Sequence, residues 1–403
     1  MQNQLIEPVE VDKIIGEVSL NLKIEEVDLV HSLGRTLAED IFADRDFPPF
    51  HRVAMDGVGI HSSQLGKTDK VFEVEGVQAA GSPQLTLENR ENCLEVMTGS
   101  VLPVNAKVVI PYEWTEKVEG GVKILDFKNA QMMSNVHQKG SDKAEGDVLI
   151  KAGKEISSSE IGILATVGKS KVKVVARPKI AVIATGDELV GVDDTPNDYQ
   201  IRMSNCYSLK ATLSENGFDS EIFHLTDDKE ELLIKIKNIK EQFDILVFSG
   251  GVSKGKFDFL PEVFESLGIK KQFHGVKQRP GKPFWFGKSD KQVVFALPGN
   301  PVSTYLCSNR YMIPWLNSQL KKEKYLPSKA ILDKDFKFDK PLTFFLQVET
   351  FYKEDGLLYA NPISGGGSGD LAKLSAANAF IELNAEVNEH KKGQQYTVWF
   401  YKK

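Results

Sequence analysis

Three uninterrupted apolar runs set the pattern in the middle of the chain: KIAVIATGDELV at 179–190, DILVFSGGVSKG at 244–255 and VVFALPGNP at 293–301. A strand covered on both faces reads as a continuous apolar run, whereas a half-buried strand alternates. Each of these runs leads into a glycine-containing turn. Between them the apolar positions change to helical spacing. One helix is expected from Ser204-Asn205, a cap-type pair, to Gly217. Another is expected from Asp227-Asp228 through Leu232, Leu233, Ile236 and Ile239. Strands alternating with helices predict a doubly wound, mostly parallel α/β domain in which three strand ends share one rim.

The flanks carry a different rhythm. Residues 8–35 begin with helical spacing, which Asp46-Phe47-Pro48-Pro49-Phe50 then breaks. From about 55 to 130, short alternating runs such as KVFEVEGV and AKVVIPYEW are separated by Gly, Pro and Asn and read as a β-rich module. Ser157-Ser158-Ser159-Glu160 has capping-box spacing and opens a helix expected to end near Gly168. Beyond about 322 come LTFFLQVETFY, GLLYANP, FIELN and QYTVWFY, the pattern of a small β-barrel or sandwich. The expected fold is therefore α/β multidomain. An N-terminal helical and β-rich region spans 1–172, with its module at about 46–140. The α/β domain spans 173–321 and a C-terminal β-barrel-like domain 322–403.

Composition narrows the function classes. A length of 403 residues accommodates two to four domains at about 150 residues each. A net charge of −6 without a dense basic run argues against nucleic-acid binding. Cys93, Cys206 and Cys307 form no CxxC pair, which fits a reducing cytosol and no structural zinc site. The start MQNQLIEPVEVDK lacks the charged head and apolar core of a signal peptide. No apolar stretch approaches the roughly 20 residues that cross a bilayer. The expected location is the cytoplasm, away from membranes.

Candidate chemistry begins at Ser249-Gly250-Gly251-Val252-Ser253. Glycines just past the carboxyl end of a strand let backbone N–H groups approach a ligand, and in open α/β sheets ligands occupy the crevice outside those ends. Gly250, Gly251 and Ser253 are thus candidate anion-binding residues. A plain strand–turn–helix junction is the alternative.

The chain also carries, in order, LGRTLAEDI (33–41), PPFHRVAMDG (48–57), MTGSVLPVNAKVVIPYE (97–113) and RPKIAVIATGDEL (177–189). SGGVSKGKFDF (249–259), RPGKPFWFG (279–287), LPGNPVS (297–303) and PISGGGSGDLAKLSAAN (362–378) follow. Together they resemble the MoeA/gephyrin E-domain family of molybdopterin molybdenumtransferases across nearly the whole chain. The resemblance implies insertion of molybdate into adenylylated molybdopterin with release of AMP, by an elongated homodimer. Implied partners extend to the molybdopterin adenylyltransferase and to acceptor molybdoenzymes. Two other readings stand beside it. The middle domain is shared with enzymes that adenylylate molybdopterin, and a non-catalytic dimeric scaffold would need no intact site.

A phosphate-bearing ligand and an oxyanion substrate require donors and cations. Arg279 and Lys282 flank Pro280-Gly281, placing two positive side chains on one stiff loop. Asn300-Pro301 reads as an N-cap followed by the first helical residue, with Pro298 and Ser303 in the same motif. Thr98 matches a family turn, and Ser364 opens its glycine–serine loop. Asp187, Glu188 and Asp258 lie by strand ends and Asp228 at a loop–helix junction; these four are the candidate catalytic carboxylates. Carboxylates beside phosphates repel unless a cation intervenes, so Mg²⁺ is expected, with Glu188 and Asp258 as its ligands. One carboxylate would act as general base. In the alternative, Asp187 only bonds its own turn and Asp228 only caps a helix.

The chain departs from the family pattern at four places. His51 stands where Asp is usual, His137 where Arg is frequent, and Ser141 where Glu is frequent. The stretch Thr343–Gln347 lacks a cation commonly found there.

Overall fold

The computed structural model describes residues 5–252, 258–322, 327–363 and 371–402. Its organising element is a six-stranded sheet. The strands are β1 (Ile180–Thr185), β2 (Ser220–Leu225), β3 (Ile245–Ser249), β4 (Lys270–His274), β5 (Trp285–Lys288) and β6 (Val293–Leu297). They lie in the order β2-β1-β3-β6-β5-β4. The first four run parallel, and β5 and β4 are antiparallel additions at one edge.

Every residue of β1, β3 and β6 is buried. Ile180, Val182 and Ala184 face one apolar layer, and Ala181 and Ile183 face the other. Burial on both sides is why these strands read as unbroken apolar runs. Truncating a fully buried aromatic such as Phe295 would remove about 3–5 kcal/mol. The edge strand β2 escaped the sequence reading because Glu221 and His224 interrupt its apolar positions and are exposed.

The α-helices of seven residues or more among the described residues are α1 (Pro8–Gly16), α2 (Ser158–Thr166), α3 (Ser204–Glu215), α4 (Lys229–Lys240), α5 (Leu260–Ser266), α6 (Pro301–Cys307) and α7 (Ile313–Gln319). Residues of α1, α3 and α7 cover one face of the sheet, and α4 and α5 cover the other. In α4, Leu232, Ile236 and Ile239 are buried while Leu233 is half-exposed, so the stripe follows helical periodicity. The capping box at Ser157 and Glu160 is present. Hydrogen bonds from the Ser157 hydroxyl and N–H hold the Glu160 carboxyl down at about 2.

Two sequence expectations change. The helical pattern over 8–35 stops at Gly16, and Ile24–Asp28 is a strand paired antiparallel with Lys171–Val175. Its β-branched residues suit that pairing. Moreover, α1 belongs to the core of the α/β domain. Val11 and Ile15 are buried there, and the Trp315 indole N–H donates to the Val18 carbonyl oxygen at 2.8 Å. The second change concerns Ser204-Asn205. Met203 holds the cap position of α3, and Asn205 lies inside the first turn with its side chain committed elsewhere.

The N-terminal region builds its own cores. Leu37, Ile41, Ile150, Ile156, Leu164, Val172 and Val174 form one. The β-rich module contains a four-stranded sheet around Gly57–Ile60 and a three-stranded sheet, packed about Val58, Ile60, Phe72 and Val122. At the C-terminus, Thr343–Tyr352 pairs with both Leu358–Pro362 and Ala379–Leu383. Those pairings close five strands into a barrel, completed by Lys329–Leu332 and Gln395–Phe400. The barrel packs on α6 through Val302 and Leu306 against Phe345, Phe380 and Tyr401. All three cysteines are buried and free. Among the described residues no helix is long and apolar enough to cross a membrane.

Candidate active site at the strand ends

Strands β1, β3 and β6 end side by side at Thr185, Ser249 and Leu297. The turns beyond them enclose a cavity of about 240 Å³. The turn after β1 contributes Thr185, Gly186 and Glu188; the segments after β3 contribute Gly250, Gly251, Val252 and Asp258. Pro298 and Gly299 follow β6, Asp227 follows β2, and Pro283 comes from the β4–β5 connection.

Glycine is required at two of these positions. Gly251 has φ of +68°, and a Cβ there would stand 2.6 Å from Leu260 Cδ1 and 2.7 Å from Thr185 Oγ1. At Gly186, with φ of +142°, a Cβ would meet the Glu188 carboxylate at 2.4 Å. Thr185 is 5% exposed, and its hydroxyl finds no hydrogen-bond partner among the described residues. A buried hydroxyl without a partner carries a desolvation penalty, which an incoming ligand oxygen relieves.

Side chains brace the turns. The Asn205 amide donates to Ser249 Oγ at 2.9 Å and to the Gly299 carbonyl oxygen at 2.7 Å. The Thr304 hydroxyl donates to the Pro298 carbonyl oxygen. His224 Nε2 lies 3.0 Å from the Gly186 carbonyl oxygen, and His274 Nε2 lies 2.8 Å from that of Val252.

The acidic side differs from the sequence expectation. Asp228 caps α4, accepting the Glu231 N–H at 2.9 Å, and does not line the cavity. Its neighbour Asp227 does. Asp187 accepts the Asp227 N–H at 3.1 Å, so it bonds the end of β2 and not its own turn. Burial, followed by the nearby charges of Asp187 and Glu188 and more weakly Asp258, pushes the Asp227 carboxyl above the usual carboxylate range. Among the described residues no group of three or more His, Cys, Asp or Glu side chains is arranged to enclose a metal. The lining carboxylates match a different donor set, one or two carboxylates completed by substrate phosphate and water, which is how Mg²⁺ is usually held. The repulsion acting on Asp227 is what such a cation would relieve.

On the other side, Arg279 and Lys282 are exposed on the loop that places Pro283 against the cavity; neither lines it directly. Gln278–Arg279 also pairs with Thr343–Phe344 of the barrel. Asn300 takes the N-cap position and Pro301 the first helical position of α6, as expected. Ser303 is only 3% exposed inside α6, which removes it from the accessible surface. Ser253 and Ser364 lie outside the described residues.

Three family models match in order along the chain. They are the MoeA N-terminal region (domain I and II) at 6–168, a probable molybdopterin binding domain at 181–318, and the MoeA C-terminal region (domain IV) at 329–401. A Synechocystis sp. protein named molybdopterin molybdenumtransferase is 41% identical over 360 residues, covering 89% of this chain and 90% of that protein. The chain belongs to the MoeA family. A Bacillus subtilis protein of the same name is 31% identical over 403 residues, covering 97% and 94% of the two chains. Two crystal structures of the molybdopterin biosynthesis MoeA protein from Pyrococcus horikoshii match 99% of this chain and 100% of theirs. Their TM-scores are 0.84 and 0.81, at 30% and 25% identity.

In this MoeA chain the N-terminal candidates do not line the cavity. Both the N–H and the hydroxyl of Thr98 donate to Asp56 Oδ1, at 2.6 and 2.8 Å. Thr98 therefore closes a turn with the intact MDG motif. His51 Nδ1 accepts the Lys139 N–H at 3.1 Å, and Arg52 stands 3.1 Å from His137 Nδ1. Sequence reasoning missed Thr185, Asn205, Pro283 and Gly299, and left Asp227 as only a rival cap. For Asp227 the available signal was a second aspartate directly before an obvious N-cap.

Proposed function

We propose that this MoeA-family chain is a molybdopterin molybdenumtransferase that inserts molybdate into adenylylated molybdopterin and releases AMP. The observation that carries this reading is one cavity with two chemically opposite sides. The turn glycines and the unpartnered Thr185 hydroxyl meet carboxylates there, the Gly250 N–H being already bonded to the Leu297 carbonyl oxygen, and a cationic loop stands beside the cavity. Curated relatives of nearly equal length bear that name.

In this scheme Gly250, Gly251, Ser253, Thr185, Pro298 and Asn300 frame the phosphate end of the ligand. Arg279 grips an oxyanion through its planar fork, and Lys282 follows as a mobile charge. Glu188 and Asp258 would hold Mg²⁺, which when bound neutralises phosphate charge. Asp227 lines the cavity with its carboxyl held above the usual carboxylate range, and it suits the water that splits the phosphoanhydride as a proton acceptor. Thr98 reaches substrate only in a homodimer, from the second copy, and Ser364 offers a hydroxyl to molybdate. The proposed domains keep the division at 321/322, while the one expected at 172/173 moves past the strand Lys171–Val175, with α1 packed into the α/β core; the proposed setting is the cytoplasm, with the adenylyltransferase and acceptor molybdoenzymes as partners.

Reconstitution tests this directly. Purified protein given adenylylated molybdopterin, molybdate and Mg²⁺ should release AMP and yield cofactor that activates an apo-molybdoenzyme, and EDTA should suppress both. ATP-dependent adenylylation of molybdopterin without AMP release from the adenylylated form would assign the preceding step instead. Neither activity in a folded dimer would leave a scaffold.

A further inference from the structure

Beneath the exposed loop that carries Arg279 and Lys282 lies a polar cluster sealed from water. Gln278 is fully buried. Its amide donates to the Pro280 carbonyl oxygen at 3.1 Å and stands 3.7 Å from Cys307 Sγ. Its own carbonyl accepts the Tyr311 hydroxyl at 2.5 Å. Tyr311 is 2% exposed and is fixed by Phe284, with ring centroids 5.5 Å apart. The loop rests directly on this cluster. Gly281 has φ of +90°, and a Cβ there would stand 2.7 Å from both Cys307 Sγ and Gln278 Nε2. The Val276 N–H donates to the Lys282 carbonyl oxygen at 2.8 Å and closes the loop at its base.

A buried amide is costly unless its groups are bonded, and a leucine would fill such a site without that requirement. Here the amide is aimed at the Pro280 carbonyl, one of the two that lie between the cationic residues. We infer that Gln278, oriented by Tyr311, is a positioning residue that holds Arg279 and Lys282 in place for the anionic ligand at the strand ends. This inference rests on the reading that those two cations bind the ligand.

Four variants test it, with AMP as the calorimetric probe and adenylylated molybdopterin for kinetics. Gln278→Met is close in size and lacks the amide; Tyr311→Phe removes only the orienting hydroxyl. Each should weaken AMP binding roughly fivefold. Each should raise KM while kcat stays within about twofold, the mark of lost uniform binding. In the Arg279→Ala/Lys282→Ala background, adding Gln278→Met or Tyr311→Phe should cause no further loss, because the side chains they orient are gone. A merely structural role would reduce affinity by the same factor in both backgrounds, and that additivity would overturn the inference. So would unchanged affinity in both single variants when Arg279→Ala/Lys282→Ala weakens binding, a result that leaves the cationic loop assigned. Unchanged affinity in Arg279→Ala/Lys282→Ala removes the loop reading and the inference with it. Should Gln278→Met fail to fold, Tyr311→Phe carries the test.

Discussion

The two sides of the cavity are held by different means. The acidic side, where Glu188, Asp227 and Asp258 line the cavity, is held by hydrogen bonds at its turns, with Asp187 accepting the Asp227 N–H, His224 Nε2 against the Gly186 carbonyl oxygen, and Gly186 folding tightly around Glu188. The cationic loop is pinned from below by Gln278, Tyr311 and Cys307 and from the side by the barrel. Long flexible cations gain affinity only when their freedom has already been reduced. The acidic side therefore gathers like charges, and the basic side presents two exposed cations. A cation completes one and an anion the other.

The largest expected effect breaks that contrast at its acidic side. Asp258 lines the cavity beyond the glycine turn. Asp258→Ala should fold with an unchanged melting temperature and lose at least about a hundredfold in AMP release. Wild-type turnover by a folded variant would move catalysis to the other carboxylates.

A smaller effect sharpens it. Because the Asp227 carboxyl is raised in the folded protein, its ionised form opposes folding. Below the unfolded carboxylate pKa of about 4 the group is protonated in both states and contributes nothing. As pH rises through the folded pKa the penalty appears in full. Asp227→Asn should then melt about 1–2 °C higher than wild type at neutral pH, with the difference vanishing at acid pH. Added Mg²⁺ should stabilise the wild type at neutral pH and the variant less. Equal melting curves at both pH values would show that Asp227 feels no such repulsion.

How far the site was legible follows the same division. The strand ends were readable because two-sided burial writes itself as apolar runs, and Gly251 marks where a Cβ cannot fit. The barrel strands were readable from their alternation. Asp227 and Asn205 were not, since each depends on which neighbour the chain brings near. Asp228 satisfied the capping rule, which left the doubled aspartate as the single local sign of Asp227. Asn205 looked like a cap and instead ties α3 to Ser249 and Gly299. Ile24–Asp28 needed its partner strand, 147 residues away at Lys171–Val175 by the pairing of Glu26 with Lys173, before its helical appearance resolved. Buried supports such as Gln278 are invisible in principle, because a glutamine in sequence carries no sign of burial.

The smallest expected effect asks whether the N-terminal module adds charge to the acidic side at all. His51 occupies a position where relatives of this type usually carry Asp, and its Nδ1 accepts the Lys139 N–H. A carboxylate can accept the same bond, so His51→Asp should fold with that contact preserved. The difference lies in charge. Asp brings a full negative charge to that position while accepting the same N–H. In a dimer that brings this module to the cavity, His51→Asp should change turnover at neutral pH by about fivefold or less. Paired turnover rates decide the matter. Equal rates would confine His51 to bracing its own loop and leave the acidic side to the α/β domain alone.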